Sequence, residues 1–471
     1  MKKSYKYFLG ISAGIILILF ATLKIFSMGA TEIFNQAMQE QNVLKGKITV
    51  QKIQANIFGE ITFDDLLWQD DRGGTILEIP EGSFKVKIFD VLTGNFKSTT
   101  IEKLDLNGAN ISINLDENMN VDFIRHSPDF KNVTQDMKKD SDSWEEKVSR
   151  VNKTEDELKE IGEHRRALQR SKIEKGWKNF NIEGNKINLY LTLNNCQIEI
   201  FYRERHYLLR GVQFESKVNT DNEMTLRINT GTFGGTMIGR GMSINGDIDF
   251  KPEIPQCNLL ILLQEVDPSS MGFGLNIHDE MTLSARFTGP INQPVGKGNV
   301  KLKELNLPGI SFTNVEGDIH YEDATLNFTD VTADVYDGKL KAHGDYNIDT
   351  RYYNIYGHGE GLKAYTALPD ASIHCDVILN LTIQSKGNAK ETITFGDFLS
   401  GKGRYKILTF ESLSGKFQTE YGKISFYDVE LDMTSGYKIK TDALSIEDKK
   451  LKFSPITITD EHGNIKRTFE Q

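Results

Sequence analysis

The residues able to do chemistry are scattered in this chain. Nine histidines could act as general acids, general bases or metal ligands. None stands in the H-E-x-x-H spacing that puts two imidazoles on one helical face, and Glu163-His164 has no second ligand four residues on. Gly231 to Gly246 (GTFGGTMIGRGMSING) has the glycine density of a phosphate loop. It lacks the G-K-[ST] ending and a following helix, so it reads as turn glycines among strands. Asp116-Glu-Asn118-Met-Asn120-Val-Asp122 puts oxygen ligands at alternate positions without the central Gly or closing Glu of a calcium loop, and reads as a polar turn. Cys196, Cys257 and Cys375 are odd in number, far apart and without a C-x-x-C pair. Each therefore reads as a small apolar residue in a strand. There is no paired acid/base constellation, so the expectation is a protein that is not an enzyme, with no cofactor and no metal.

What remains is apolar pattern. Lys2, Lys3 and Lys6 precede a charge-free run from Tyr7 to Leu23, and Ile25–Phe26 extend it if the Lys24 side chain snorkels. A spanning helix needs about 20 such residues. The expectation is a cytoplasmic end at 1–6, a transmembrane helix at 7–26 and a polar helical extension at 27–45. The lysine asymmetry puts the bulk of the chain outside the cytoplasm. A cleaved signal peptide is the alternative, although Met28 fits the −3 position poorly and the run exceeds the roughly 7–15 residues of an ordinary apolar region.

The remaining chain alternates with period two. Ile48 and Val50, Ile53 and Ala55, Ile61 and Phe63, and the segments at 77–79, 84–88, 101–106, 111–115 and 187–193 each predict a strand with one wet face. Met224–Ile228, Met242–Phe250, Met281–Phe287, Val300–Leu307, Leu326–Phe328, Ile393–Phe395 and Ile424–Phe426 continue the series. Gly73-Gly74, Gly94-Asn95 and Asn107-Gly108 supply turn signals. A loose repeat, Gly246-Asp-Ile-Asp-Phe250, recurs at Gly317, Gly344 and Gly415, and G-x-G recurs at Gly239, Gly296, Gly357 and Gly401, each read as a turn mark between antiparallel strands. Residues 131–178 differ. Trp144, Val148, Val151, Leu158, Ile161, Leu168, Ile173 and Trp177 recur at helical spacing in a charged background, with Ser141 or Ser143 as a cap and Gly162 as a candidate break. This insertion reads as a packing element, a lid or a partner-docking helix.

The net charge of −10 disfavours nucleic acid, since phosphate binding needs a basic stripe. Only 10 prolines disfavour a long disordered linker, while 40 scattered glycines suit many tight turns. Long alternating sheets have one apolar face. Two such faces close into a sandwich, or one sheet curls into a trough that needs an apolar occupant.

The order of parts resembles the AsmA-like proteins of the bacterial envelope, a group that includes TamB. The likeness is carried by the basic end and single helix, then by "LKGKITVQKIQANIFGEITFDDLLWQD" and "GGTILEIPEGSFKVKIFDVLTGNFKSTTIEKLDLNGANISINLDENMNVDFI". Further on, "NVEGDIHYEDATLNFTDVTADVYDGKLKAHGDYNID" and "FESLSGKFQTEYGKISFYDVELDM" look like the family's repeated strand modules. The resemblance implies a mainly β chain in which the transmembrane helix is followed by an elongated antiparallel β trough. It implies an opening module at 46–130, the charged helical insertion at 131–178 and strand modules forming a groove at 179–471. It also implies phospholipid transport between inner and outer membrane, a periplasmic location for the bulk, and a part in outer-membrane integrity. Some 20–25 strands at about 4.8 Å each would make a trough on the order of 100 Å long. Acyl chains are the expected ligand, with Ile48, Val50, Ile187, Leu189, Leu191, Leu193, Val300, Leu302, Leu326 and Phe328 as candidate lining positions. An outer-membrane or periplasmic partner protein is the other expected contact, and an assembly factor or scaffold that binds outer-membrane proteins is the alternative function.

Overall fold

The computed structural model describes residue 35, residues 46–122 apart from 57, 71–72, 94–98 and 116–120, residues 153–182, and residues 186–470 apart from 203–204, 272–276, 308–309, 370–371, 387–391, 421–422 and 448–449. The expected transmembrane helix, nearly all of its extension, the Ser141 and Ser143 caps and the Gly94-Asn95 turn lie outside these residues. No described helix is long and apolar enough to cross a membrane. The chain is mainly β and divides into two compact units.

The first unit takes in residues 1–151, 163–272 and 283–295. It opens with β1 (Lys47–Thr49), β2 (Lys52–Ala55), β3 (Glu60–Gln69), β4 (Thr75–Val86), α1 (Ile88–Leu92), β5 (Ile101–Asn107), β6 (Asn110–Leu115) and β7 (Val121–Asp122). After α2 (Glu155–Ile182) come β8 (Asn188–Tyr202), β9 (Arg205–Asn219), β10 (Glu223–Asn229), β11 (Thr232–Gly235), β12 (Gly241–Asp249), β13 (Gln256–Val266) and β14 (Met281–Pro290). The segments at 77–79 and 84–88 form one strand, β4, which ends where α1 begins at Ile88.

Two pairings, both made by β8, depart from the antiparallel expectation. β8 runs parallel to both β5 and β6, with Leu104 opposite Leu191 and Ile111 opposite Ile198. A tight hairpin can only reverse the chain, and a parallel return needs a long crossover. The insertion between β7 and β8 supplies that length. β8 passes from β5 to β6 by bulging at Asn195, whose φ is +50°, and the Gly108 amide donates to the Asn194 carbonyl at that corner. Beneath these strands lies a closed core. Ile61, Phe63, Trp68, Phe84, Val86, Cys196 and Val212 are buried together in it.

The second unit takes in residues 152–162, 273–282 and 296–471. Its strands are β15 (Val295–Leu307), β16 (Ile310–Glu322), β17 (Thr325–Val335), β18 (Gly338–Asn347) and β19 (Tyr352–Lys363), then α3 (Ala364–Ala367), β20 (Ile373–His374), β21 (Asp376–Lys386), β22 (Ile393–Ser400) and β23 (Gly403–Tyr405). β24 (Leu408–Glu420), β25 (Lys423–Met433), β26 (Lys438–Glu447), β27 (Lys450–Phe453), β28 (Ile456–Thr459) and β29 (Ile465–Phe469) complete it. Each main strand pairs antiparallel with the next, in the sequence β15, β16, β17, β18, β19, β21, β22, β24, β25, β26. The described strands number 29 rather than about 20–25. Interruptions explain the excess, since β1 and β2 share one partner, as do β22 and β23, and β27 and β28.

The repeat glycines, expected at turns, correct that reading. Gly246, Gly317, Gly344 and Gly415 lie inside β12, β16, β18 and β24. There a neighbour closes on the backbone: a Cβ on Gly317 would meet Val331 Cγ2 at 2.6 Å, and one on Gly415 would meet Phe398 Cζ at 2.8 Å. Strand glycines mark such close approaches as readily as turns.

Helix α2 departs from expectation in three ways. It begins at a capping box, in which Thr154 Oγ1 accepts from the Glu157 amide (3.3 Å) and Glu157 Oε2 accepts from the Thr154 amide (2.7 Å). It runs through Gly162 without a break, and that glycine sits against the Asp349 carboxylate with no room for a Cβ. Its apolar stripe is not a packing seam, since Leu158 is buried while Ile161, Leu168 and Ile173 are exposed. Trp177 is another anchored position, stacking on Phe250 with ring centroids 4.9 Å apart.

The last turn, between β28 and β29, is held by one carboxylate. Asp460 accepts from the amides of His462 and Asn464 and from Lys466 Nζ at 2.9 Å, which together hold its pKa far below the usual aspartate range. A folded pKa below the unfolded one gives stabilisation that is complete above the ordinary aspartate value and lost as pH falls below it. Amide protection in β29, corrected for intrinsic exchange, is therefore expected to hold at neutral pH and drop on acidification below about pH 4. Protection unchanged down to pH 2 would show that the turn does not depend on this carboxylate.

Candidate functional site

The motifs that could have carried chemistry resolve into structure. Gly231–Gly246 spans β11, a turn and β12, with no helix after it. His164 is exposed on α2. Of the Asp116–Asp122 segment only Val121–Asp122 is described, as β7. All three thiols are free and buried, and desolvation pushes their pKa values up, which makes them poor nucleophiles. Among the described residues no group of three or more His, Cys, Asp or Glu side chains could hold a metal ion.

The ten candidate lining positions separate by unit. In the first, Ile48, Val50 and Leu193 belong to the closed core, and Leu189 and Leu191 pack against it. Ile187 is half-buried beside them in sequence. Asn35 lies over the bulge between β1 and β2, where its side-chain amide donates to the Val50 carbonyl (3.0 Å) and accepts from the Val50 amide (2.8 Å). It satisfies there the two backbone groups that a ladder would otherwise pair. In the second unit, Val300 and Leu302 are buried, while Leu326 and Phe328 are half-buried.

A half-buried apolar surface lies further along. Between Val300 and Phe410 the second unit buries a long series of apolar side chains, and beyond Phe410 no described hydrophobic side chain is buried. Yet the strands there are rich in apolar residues, and register aligns them in rows. Leu413, Leu431, Ile439 and Ile458 stand directly opposite one another across β24, β25, β26 and β28. Phe417, Phe426, Leu444 and Phe453 form a second row across β24, β25, β26 and β27. All eight are half-buried. The first row is continuous with a small closed cluster around Phe410, Ala364 and Cys375, against which Leu413 and Leu431 pack. Of these eight, sequence periodicity singles out only Phe426. The other seven lie outside the runs that alternation marks.

Ion pairs at surface-exposed positions lie near these rows. Lys438 pairs with Asp432 at 3.0 Å and Glu430 at 3.2 Å, and Lys440 with Glu430 at 2.7 Å, so the two lysines hold the Glu430 pKa down. Lys416 and Asp428 pair at 2.8 Å. Pairs this accessible to solvent contribute about 0–1 kcal/mol each. Comparison of the chain with protein-family models, with curated proteins and with solved structures gives no match.

Proposed function

We propose that this chain is an AsmA-like envelope protein that carries phospholipid acyl chains. Residues 7–26 would hold it in the inner membrane, with the bulk in the periplasm. Its activity would contribute to phospholipid movement between inner and outer membrane and so to outer-membrane integrity. The observation that supports this reading best is the half-buried pair of apolar rows on β24–β28, in a stretch with no buried hydrophobic side chain among the described residues. Such a sheet gains by being covered. Each acyl CH₂ kept from water is worth about 0.8 kcal/mol, so a lipid can rest there without full desorption into solvent. The polar headgroup would stay outside the rows, and no step needs a catalytic residue.

A photocrosslinking residue at Phe426 or Leu444 of the full-length protein in membranes is expected to give phospholipid adducts, and one at exposed Asp442 none. Absence of lipid adducts at both row positions would sink the reading. A second reading, an assembly factor that binds outer-membrane proteins, is favoured by β29, whose five residues are all exposed and which pairs with β28. Sheet edges of this kind accept an added strand. A crosslinker at Phe469 that captured one defined protein, with no lipid at Phe426, would put that reading first.

A further inference from the structure

We propose that the β23–β24 hairpin tip, residues 404–409, is a docking element for an anionic phospholipid bilayer surface. Every residue from Arg404 to Thr409 is exposed, and Ile407 is 92% exposed, the highest value among the exposed large hydrophobic residues. Tyr405, Ile407 and Leu408 put three large apolar side chains on a single tip, and Tyr405 stands opposite Leu408 across the turn. Tyr365 of α3 adds a fourth nearby. Its ring lies 5.6 Å from that of His374, which is opposite Arg404 on β20.

Turn geometry does not require these residues. A two-residue hairpin with a left-handed first position favours glycine or asparagine there. This one has Lys406 at φ +53° followed by a β-branched isoleucine. A local preference is set aside at a tip whose Ile407 side chain touches almost nothing in the protein, which is the pattern expected where a residue serves an external contact. The tip is also firmly placed, since the Lys406 amide donates to the Ser372 carbonyl at 3.2 Å and Phe410 anchors its base in the small cluster.

Charge selects the occupant. In a chain of net charge −10, this tip carries Arg404 and Lys406. The neighbouring carboxylates are already paired, Glu411 with Lys402 at 3.1 Å and Asp376 with Lys363 at 2.6 Å. Lys406 lies over the Tyr405 ring, 5.5 Å from its centroid. Tyrosines at the headgroup level, an aliphatic side chain below them and lysine or arginine reaching the phosphates is the arrangement an anionic bilayer surface favours. A protein partner would ask for a wider, flatter patch than one tip.

The proposal does not depend on the apolar rows and can fail separately from them. The full-length chain is held in zwitterionic nanodiscs, and vesicles with or without phosphatidylglycerol are added and floated. The expected result is co-flotation with the anionic vesicles only, lowered at least tenfold by Ile407→Asp and by the pair Arg404→Glu and Lys406→Glu. Ile407 touches almost nothing, so its variant keeps the fold. Equal flotation of parent and Ile407→Asp chains, or equal binding to neutral vesicles, would overturn the proposal.

Discussion

Glutamates in place of Ile439 and Ile458 are expected to strip bound phospholipid from the protein and leave its β structure in place. The two residues stand directly opposite each other on β26 and β28, in the row that continues through Leu431 to Leu413. Both are half-buried, and neither packs against the closed cluster around Phe410 as Leu413 and Leu431 do. In the empty protein the new carboxylates meet water, so the folding cost is confined to strand preference, a scale that spans about 1 kcal/mol. Under an acyl chain they would have to be desolvated without a hydrogen-bond partner, at a cost of several kcal/mol each or by protonation. Two such costs outweigh the gain from several methylenes. The check is lipid phosphorus per protein after purification of both chains from the same membranes, with circular dichroism as the fold control. Unchanged lipid content would remove the rows from the mechanism. Loss of the fold would show that they are an internal core closed by the protein itself, which sinks the lipid reading equally.

The strands were legible because period-two alternation survives in a single strand. The run from Ile187 to Leu193 announces β8, and Val300–Leu307 announces β15, whatever they pair with. The rows were not, because a row is a property of register between strands. Phe426 and Leu431 lie on one row-bearing strand at an odd spacing, and only the bulge at Asp428, with φ +52°, puts each opposite an apolar partner on β24. Sequence alternation read across such a bulge reports the wrong face. The parallel seam of β8 was hidden for a related reason. Pairing order depends on what the insertion lets the chain reach, and local pattern carries no trace of that. The cap of α2 was legible in principle, since Thr154 and Glu157 have the spacing of a capping box, but they stand inside a longer helical pattern that draws the start earlier.

The glycines show most directly how a residue can be noticed and still be misplaced. Several stand opposite a large side chain on the next strand: Gly82 faces Phe63, Gly344 faces Phe328, and Gly415 faces Phe398. In the first pair Phe63 is buried, and its ring occupies the space a Cβ on Gly82 would need. The ring therefore covers the glycine backbone and shields its ladder bonds, and strand entropy lost at glycine is offset by aromatic contact.

That pairing predicts strongly coupled mutations. Phe63→Ala empties a site in the closed core of the first unit, lined by Phe84 with ring centroids 6.1 Å away, and is expected to cost about 3–5 kcal/mol. Gly82→Ala forces the ring aside in a filled core and is expected to cost about 1–3 kcal/mol. In the double variant the methyl group enters space the ring has vacated, so the second change should cost close to nothing or restore part of the loss. The coupling is then at least about 1 kcal/mol, within the range seen for residues in contact. Pulse proteolysis across a urea series reads all four chains without requiring the two units to unfold together. Strictly additive losses would mean that Phe63 is free to swing away from Gly82, and that small strand residues in this chain are not set by the side chains opposite them.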